Sequence, residues 1–328
     1  MSRTSVIIVA FNNKELLDES LRSLANQTYR DFEIILVDNN STDGTYDFIK
    51  TNFPETLCIR SVENLGFAGG NNLGLKHAGG EYIALLNSDA VAQPTWLKNL
   101  VAAMDKHPDV GICASKMIAS RTDSLDSAGD GFSANLKGYK RGEGMPSSSF
   151  DKEEYIFGAC AGAALYRRKM IDEIGFFDED FFLIQEDTDL NFRAQLAGWR
   201  VFYVPTAVVR HKVRSTIGHM SDTAVYYALR NCEFVRVKNV PLPVFLRHLF
   251  EYILGSIADF VYFAIRHRKL RVYAKAKINV IKKLKTMLDK RKKIMDIKKV
   301  DSRYIGTIII PIHQRDFLSL KLKKFFHG

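Results

Sequence analysis

SVIIVAFNNKELLDESLRSLANQTYRDFEIILVDNN, residues 5–40, decides the fold. Val6 to Phe11 is a short, β-branched apolar run, as expected of a strand buried on both faces. Leu16, Leu17, Ser20, Leu21 and Leu24 then recur at helical spacing, with Asn12 or Asn13 placed to cap the helix. FEIILVD (32–38) is a second buried strand.

The alternation continues outward. STDG is a turn signal before a short helix, and TLCIRSV is a third strand. FAGGNNLGLKHA turns into another helix, and EYIALLN (81–87) is a fourth strand. Strands alternating with helices predict a parallel sheet covered on both faces. Such sheets bind ligands at the carboxyl ends of their strands. Here the ends are Phe11-Asn12, Asp38-Asn39-Asn40, Asn64-Leu65-Gly66 and Asn87-Ser88-Asp89. One polar ending is also what a helix cap would give, but four in succession on one edge predict a polar cleft.

Further on, TWLKNLVAAMDKH predicts a helix and VGICASKMI a strand. Residues 120–152, rich in Ser, Gly and Asp, are expected to form a long surface loop of the kind that serves as a lid. Small residues fill FGACAGAALYRR, QEDTDLNFRAQLAGWR is a helix opened by carboxylates, and VFYVP and AVVRH are two short strands. After about residue 220 the pattern is helical. Residues 243–267 are strongly apolar, yet Arg247, Glu251 and Asp259 interrupt them. The run therefore falls short of the ~20 apolar residues that span a bilayer, and it suits a helix packed on neighbours or lying in a membrane interface. The division expected is 1–215 for the α/β domain and 216–328 for a basic, amphipathic helical region.

From Arg266 onward 20 Lys and Arg face 4 Asp, a net +16, while the other 265 residues carry 27 basic and 33 acidic groups, a net −6. A mildly acidic body with a basic tail points to a polyanionic partner for the tail. Cys58, Cys113, Cys160 and Cys232 are scattered without a CxxC pair, which fits neither a zinc site nor a disulfide framework and suits a reducing compartment. The first apolar run is too short for a signal-peptide core.

A nucleoside-diphosphate ligand would find partners on this edge. Asp38 suits a pyrimidine N–H, and Asp89 with His211 suits Mn²⁺ or Mg²⁺. Glu186, Asp187 and Asp189 open a helix, where the helix dipole favours acids in any case. A carboxylate there would also serve as general base toward a hydroxyl. NLGFAGGNNLG (64–74) lacks the spacing of a dinucleotide fingerprint, but its glycines permit close backbone approach to a ligand.

Together, VIIVAFNNKELLDESLRSLANQTY, EIILVDNNSTDGT, NLGFAGGNNLG, ALLNSDA, GACAGAALYRRKMIDEIGFFDEDFF, QEDTDLNFRAQLAGWR and VVRH resemble the family 2 glycosyltransferases. The likeness is closest to their rhamnosyltransferase-like branch and covers residues 4–215 in order. It implies the GT-A fold, a Rossmann-like α/β architecture, here with a mostly α-helical C-terminal extension. It also implies inverting transfer of a sugar, rhamnose favoured, from a dTDP- or UDP-linked donor to a hydroxyl of a lipid-linked cell-surface glycan. By the same resemblance Asp38 is the base-binding aspartate, Ala10 and Asn12 lie on the first nucleotide-contacting loop, and Asn64, Gly66 and Asn71 match the donor-side loop. Asp89 matches the metal-binding aspartate of the D-x-D motif, here NSD with Asn87 in the first position, and His211 completes the metal site. The amide of Asn87 is a weaker ligand than a carboxylate, but the branch uses it widely. Asp187 matches the catalytic base, with Glu186 beside it. The basic tail is expected to hold the chain peripherally on an anionic membrane at the cytoplasmic face. A nucleotidyltransferase would want a glycine- and Lys/Arg-rich N-terminal signature that VIIVAFNNKELL lacks. A non-catalytic polyanion-binding or scaffold protein on the same fold is the alternative, although clustered carboxylates repel phosphates and no nucleic-acid partner is expected.

Overall fold

The computed structural model describes residues 2–212 and 220–311. The last residues of the basic tail therefore lie outside the described residues. In chain order the strands are β1 (Thr4–Ala10), β2 (Phe32–Asp38), β3 (Leu57–Arg60), β4 (Tyr82–Leu86), β5 (Ala90–Ala92), β6 (Val110–Ala119), β7 (Leu125–Ser127), β8 (Asp130–Ser133), β9 (Lys137–Lys140), β10 (Glu154–Ile156), β11 (Ala163–Arg167), β12 (Arg200–His211) and β13 (Ile309–Ile310). The helices are α1 (Lys14–Ala25), α2 (Thr45–Asn52), α3 (Gly66–Leu75), α4 (Trp96–Lys106), α5 (Arg168–Ile174), α6 (Glu186–Leu196), α7 (Asp222–Asn239), α8 (Leu242–Arg247), α9 (Leu249–Asp259), α10 (Leu270–Asp296) and α11 (Ser302–Ile308). A π-helical turn, Phe260–Arg266, follows α9.

The main sheet runs in the order β10-β12-β6-β11-β4-β1-β2-β3. Because side chains alternate across a strand, each central strand feeds two cores. Val6 and Ile8 face Leu17, Leu21 and Trp96 of α1 and α4. Ile7 and Ile83 face Ala68, Met170 and Leu190 of α3, α5 and α6. The expected two-sided cover is therefore present.

The expected parallel pairing holds for β1 to β4 and again between β6 and β12. β11 inserts antiparallel between β4 and β6 and runs in the same direction as β10, which pairs antiparallel with β12 at the sheet edge. VFYVP and AVVRH form one strand, β12, with a register shift between Val204 and Val208. Residues 120–152 are not an open surface loop. Residues 125–136 are buried almost throughout, in β7, β8 and the turns around them, and β13, β8 and β9 form a second small sheet. Their small side chains fit this close packing, and the absence of a long apolar run hid it.

A third core joins Phe132, Phe157, Phe181 and Phe192 to Phe234, Val235, Met287, Ile294 and Ile305. Hydrophobic contacts thus cross the expected boundary near residue 215. Charged contacts cross it too. Asp189, with no exposed surface, receives Arg193 Nε at 2.9 Å and Lys238 Nζ at 2.8 Å, and Asn239 Nδ2 donates to it at 2.8 Å. Lys238 also pairs with Asp178, which Lys290 of α10 reaches as well. Burial would raise the Asp178 carboxyl, but Lys238 and Lys290 hold it well below the usual carboxylate range.

Two outcomes are expected. Lys238→Ala leaves buried carboxylates short of their cation and lowers the unfolding free energy by about 3 kcal/mol in denaturant titration. Because the folded-state value of Asp178 is depressed, its contribution is full above about pH 4, the unfolded value, and is lost as pH falls below that. A plot of stability against pH in the wild type should show this acid limb, and the Lys238→Ala plot should be flatter.

Candidate active site

The carboxyl ends of β1, β2 and β4 stop at one level, because Ala10 pairs with Asp38 and Ile7 with Leu85 in parallel register. Beyond them lies a cavity of about 520 Å³, lined among others by Phe11, Asn39, Asn64, Gly66, Asn87, Asp89 and His211.

Asp89 and His211 meet through the sheet. β5 pairs antiparallel with β12, Ala90 opposite His211, so the residue before β5 falls beside the imidazole. His211 Nε2 lies 3.1 Å from Asp89 Oδ1. Its Nδ1 lies 2.9 Å from Asp126 Oδ2 on β7, and Lys140 Nζ donates to the other Asp126 oxygen at 2.8 Å. Burial would lower the imidazole, but the bonds to Asp126 and Asp89 outweigh it and push its pKa up to about 9. Burial would raise Asp126, yet His211 and Lys140 hold it well below the usual range.

A divalent cation suits this donor set in part. With a cation in place Nε2 of His211 would give up its proton and, with Asp89, supply an imidazole and a carboxylate, while Asp126 fixes the ring from behind. No group of three or more His, Cys, Asp or Glu suited to a metal exists among the described residues. A cation there would draw its other ligands from water and from the donor's phosphates, which is how Mg²⁺ and Mn²⁺ are commonly held.

Glu186 and Asp187 start α6 and do not line the cavity. Two adjacent residues link them to it. Ala161 N approaches Asp187 Oδ2 at 3.5 Å, and Gly162 O accepts from Asn87 N at 2.8 Å. The small side chains of GACAG allow this, since a Cβ on Gly162 would sit 3.0 Å from the Asn87 amide. Burial raises the Asp187 carboxyl, against amide donation from Thr188 and Ala161. Glu186 is pushed well above its usual value by burial and by Asp187 beside it.

The turn before α6 is strained. Phe182, Ile184 and Gln185 have φ of 64°, 66° and 73°, a left-handed region that side chains seldom adopt. Asn231 of α7 donates to the carbonyls of Phe181, Leu183 and Ile184 at 2.9, 2.8 and 2.6 Å, and Arg230 to those of Asp180 and Phe181. Phe182 stacks on Tyr227 and also abuts Gly66, where a Cβ would lie 2.4 Å from the Phe182 carbonyl.

The other residues expected on the nucleotide side form a frame. Asp38 is buried, accepts from Ser41 N at 3.0 Å and pairs with Arg60 at 3.5 Å. Asn12 Oδ1 accepts from Thr42 N at 2.8 Å, tying the turn after β1, where Ala10 ends, to the turn after β2. Asn71 is buried in α3 and donates to the Phe67 carbonyl. Asp38, Ala10, Asn12 and Asn71 stand outside the cavity lining. Sequence reasoning missed Asn39, which donates to Asn64 Oδ1 and Gly66 O at 3.0 Å each. It also missed Asp126, Arg230 and Asn231. The strand-end pattern could have found Asn39. Nothing local marks the other three.

The profile described as Glycosyl transferase family 2 matches residues 5–175. Over 262 residues the chain is 26% identical to the N-acetylglucosaminyl-diphospho-decaprenol L-rhamnosyltransferase of Mycobacterium tuberculosis, covering 69% of this chain and 84% of that one. Over 106 residues it is 39% identical to the UDP-Glc:alpha-D-GlcNAc-diphosphoundecaprenol beta-1,3-glucosyltransferase WfaP of Escherichia coli, 32% of this chain and 42% of that one. An uncharacterized glycosyltransferase of Haemophilus influenzae is 34% identical over 109 residues, 34% of its length. The chain thus spans well under half of these last two relatives. In structure it resembles residues 1–349 of S. aureus TarS in complex with UDP-GlcNAc, with a TM-score of 0.59, 18% identity and 90% of both chains covered. It also resembles the mannosyltransferase PcManGT from Pyrobaculum calidifontis in complex with GDP-Man and Mn²⁺, with a TM-score of 0.55, 18% identity, and 99% and 87% covered. Sheet order, strand-end cavity and these likenesses define a GT-A domain with a helical C-terminal region. The chain belongs to the family 2 glycosyltransferases, as the seven ordered motifs imply.

Asp126→Asn should weaken Mn²⁺ binding about 10- to 100-fold, the usual effect of removing the group that orients a ligating imidazole. Titration of Mn²⁺ in the presence of UDP, followed by electron paramagnetic resonance, measures this directly.

Proposed function

We propose that the chain catalyses inverting transfer of a hexose, rhamnose favoured, from a dTDP- or UDP-linked donor to a hydroxyl of a lipid-linked cell-surface glycan. The observation that carries this reading is the placement of Asp89 and His211 at the strand-end cavity, with Asp187 one peptide further along the Ala161–Gly162 link. Two relatives support the acceptor class, since their names specify polyprenol diphosphates carrying a sugar.

In this reading Asp38 receives the base beside the strand-end cavity, framed by the turns of Ala10 and Asn12. Asn64, Gly66, Asn71 and Asn87 shape the donor side, and the missing Cβ of Gly66 makes room for Phe182 against this wall. Asp89 and His211 would hold a Mg²⁺ or Mn²⁺ ion, whose charge would neutralise that of the leaving diphosphate. Asp187 takes the proton from the acceptor hydroxyl as its oxygen attacks the anomeric carbon, and the nucleoside diphosphate departs from the opposite side. Glu186, pushed up by burial and by its neighbour, opposes a second charge on the pair. A carboxyl raised toward the working pH is the better base. We place the enzyme peripherally at the cytoplasmic face of an anionic membrane, where a lipid-linked acceptor would be presented.

The test is transfer and nucleotide release with dTDP- and UDP-sugars, with and without Mn²⁺. Asp187→Asn should lower turnover about 10²- to 10⁴-fold with donor binding retained. The wild-type rate should fall on the acid side with a midpoint above about 4, the ordinary carboxylate value, because the base must be deprotonated and its pKa is raised. Nucleotide binding without turnover on any polyprenol-diphosphate acceptor would contradict the acceptor assignment.

A further inference from the structure

Among the described residues eighteen large apolar side chains are exposed, and fifteen of them lie between Leu242 and Leu288. Such clustering differs from the scattered apolar exposure of ordinary surfaces and marks an interaction face.

Helix α9 has its amphipathic character turned inside out. None of its eleven residues is buried. Its inner face is the polar or small one: Tyr252 reaches Glu233, Gly255 lies against Asn135, and Asp259 pairs with Lys137. These positions recur at helical spacing. The opposite face carries Phe250, Leu254, Ile257 and Val261, with Phe250 70% exposed. Phe260 then meets Tyr273 of α10 ring to ring at 5.4 Å. α10 extends the exposure through Leu270, Ile278, Ile281 and Leu288, with Ile281 72% exposed.

The charge around this face selects its occupant. Residues 242–288 contain ten Lys and Arg but two acids, Glu251 and Asp259. Asp259 is taken by Lys137 and Glu251 lies beside His248, while Lys269, Lys277 and Lys283 pair with Asp222, Glu233 and Asp180 from outside the stretch, so cations remain in excess around the face. A two-fold pairing of chains would set this cationic patch against itself. An anionic leaflet would meet apolar side chains with its acyl boundary and the cations with its headgroups. No helix of the described residues is long and apolar enough to cross a membrane.

We propose that the exposed apolar face of α8, α9, the π-turn and α10 docks the protein in-plane into an anionic lipid leaflet, by insertion of apolar side chains rather than by the basic tail alone. The face lies next to the cavity. Thr223 and Ala224 of α7 line the cavity, while Val225 and Leu229 of the same helix pack on Ala276 of α10, with Phe263 and Tyr273 alongside. Docking therefore sets the cavity wall one helix away from the lipid surface. On the reading that the acceptor is lipid-linked, the acceptor sugar reaches Asp187 while its polyprenol stays in the leaflet.

The full chain is sedimented with vesicles of phosphatidylcholine alone and with about 30% phosphatidylglycerol, at about 0.15 M and about 1 M NaCl. The variant Phe250→Ser/Leu254→Ser/Ile257→Ser is compared, with UDP and dTDP binding as its measure of folding. We expect wild type to bind the anionic vesicles, with part of that binding kept at high salt, and the variant to bind at least about tenfold less while keeping nucleotide affinity. Three outcomes would overturn the proposal: no vesicle binding by wild type, binding abolished by salt and equal in the variant, or a wild-type dimer in light scattering that the variant dissociates. If the variant also loses nucleotide binding, the single substitution Phe250→Ser is measured instead, and unchanged vesicle binding by it sinks the proposal. Vesicle binding without turnover on any sugar acceptor would remove the transferase reading and leave the docking face standing.

Discussion

A turn that goes left-handed at three of four consecutive residues does not hold itself. Each such residue costs on the order of 1 kcal/mol or more, and Ile184 is β-branched, which makes the cost larger. In this protein the cost is met from across the chain by α7. One Asn231 amide donates to three carbonyls of residues 181–184, and Arg230 adds two contacts to residues 180 and 181. That grip sets where α6 begins, and so where Glu186 and Asp187 stand. It also presses Phe182 against Gly66, where only glycine leaves room. The Asn64–Gly66 loop and the start of α6 therefore share one packing contact, fixed by a helix far from both in sequence.

The sheet supplies the second constraint. Parallel register brings the ends of β1, β2 and β4 to one edge, and the antiparallel return of β11 brings the 160–162 turn to the same edge. Backbone, rather than long side chains, then connects the Asp89 side to the Asp187 side. Asp126 reaches the edge from β7, which runs beside the second half of β6. The imidazole of His211 is thus clamped from one side and faces Asp89 with the other.

Much of this was legible in the sequence, for physical reasons. Strand ends and helix spacing are local properties, so Asp38, Asn64, Asn87 and Asp89 stood out where apolar runs stop. The order of the motifs carried the family. What stayed hidden depends on contacts between distant segments. Asp126 sits among Ser, Gly and Ala, whose burial leaves no periodic apolar trace, and residues 120–152 looked like a loop for that reason. Asn231 and Arg230 lie within an ordinary helical stretch, and only the partner turn gives them meaning. α9 was recognisable as apolar, but not as a helix with its polar side turned inward. That orientation follows from Asn135, Lys137 and Glu233, and all three lie outside the helix.

The ring of groups around Asp189 bears on how the chain is assembled during synthesis. Its carboxylate lies wholly inside the body, yet two of its partners, Lys238 and Asn239, come from the last turn of α7. A nascent chain that has emerged only as far as β12 holds every strand of the main sheet but has an under-compensated charge beside its third core. The sheet can gather early, but this part of the interior closes only when residue 239 clears the ribosome. The α/β portion is therefore a poor candidate for expression on its own, whatever the sequence match of its first half suggests.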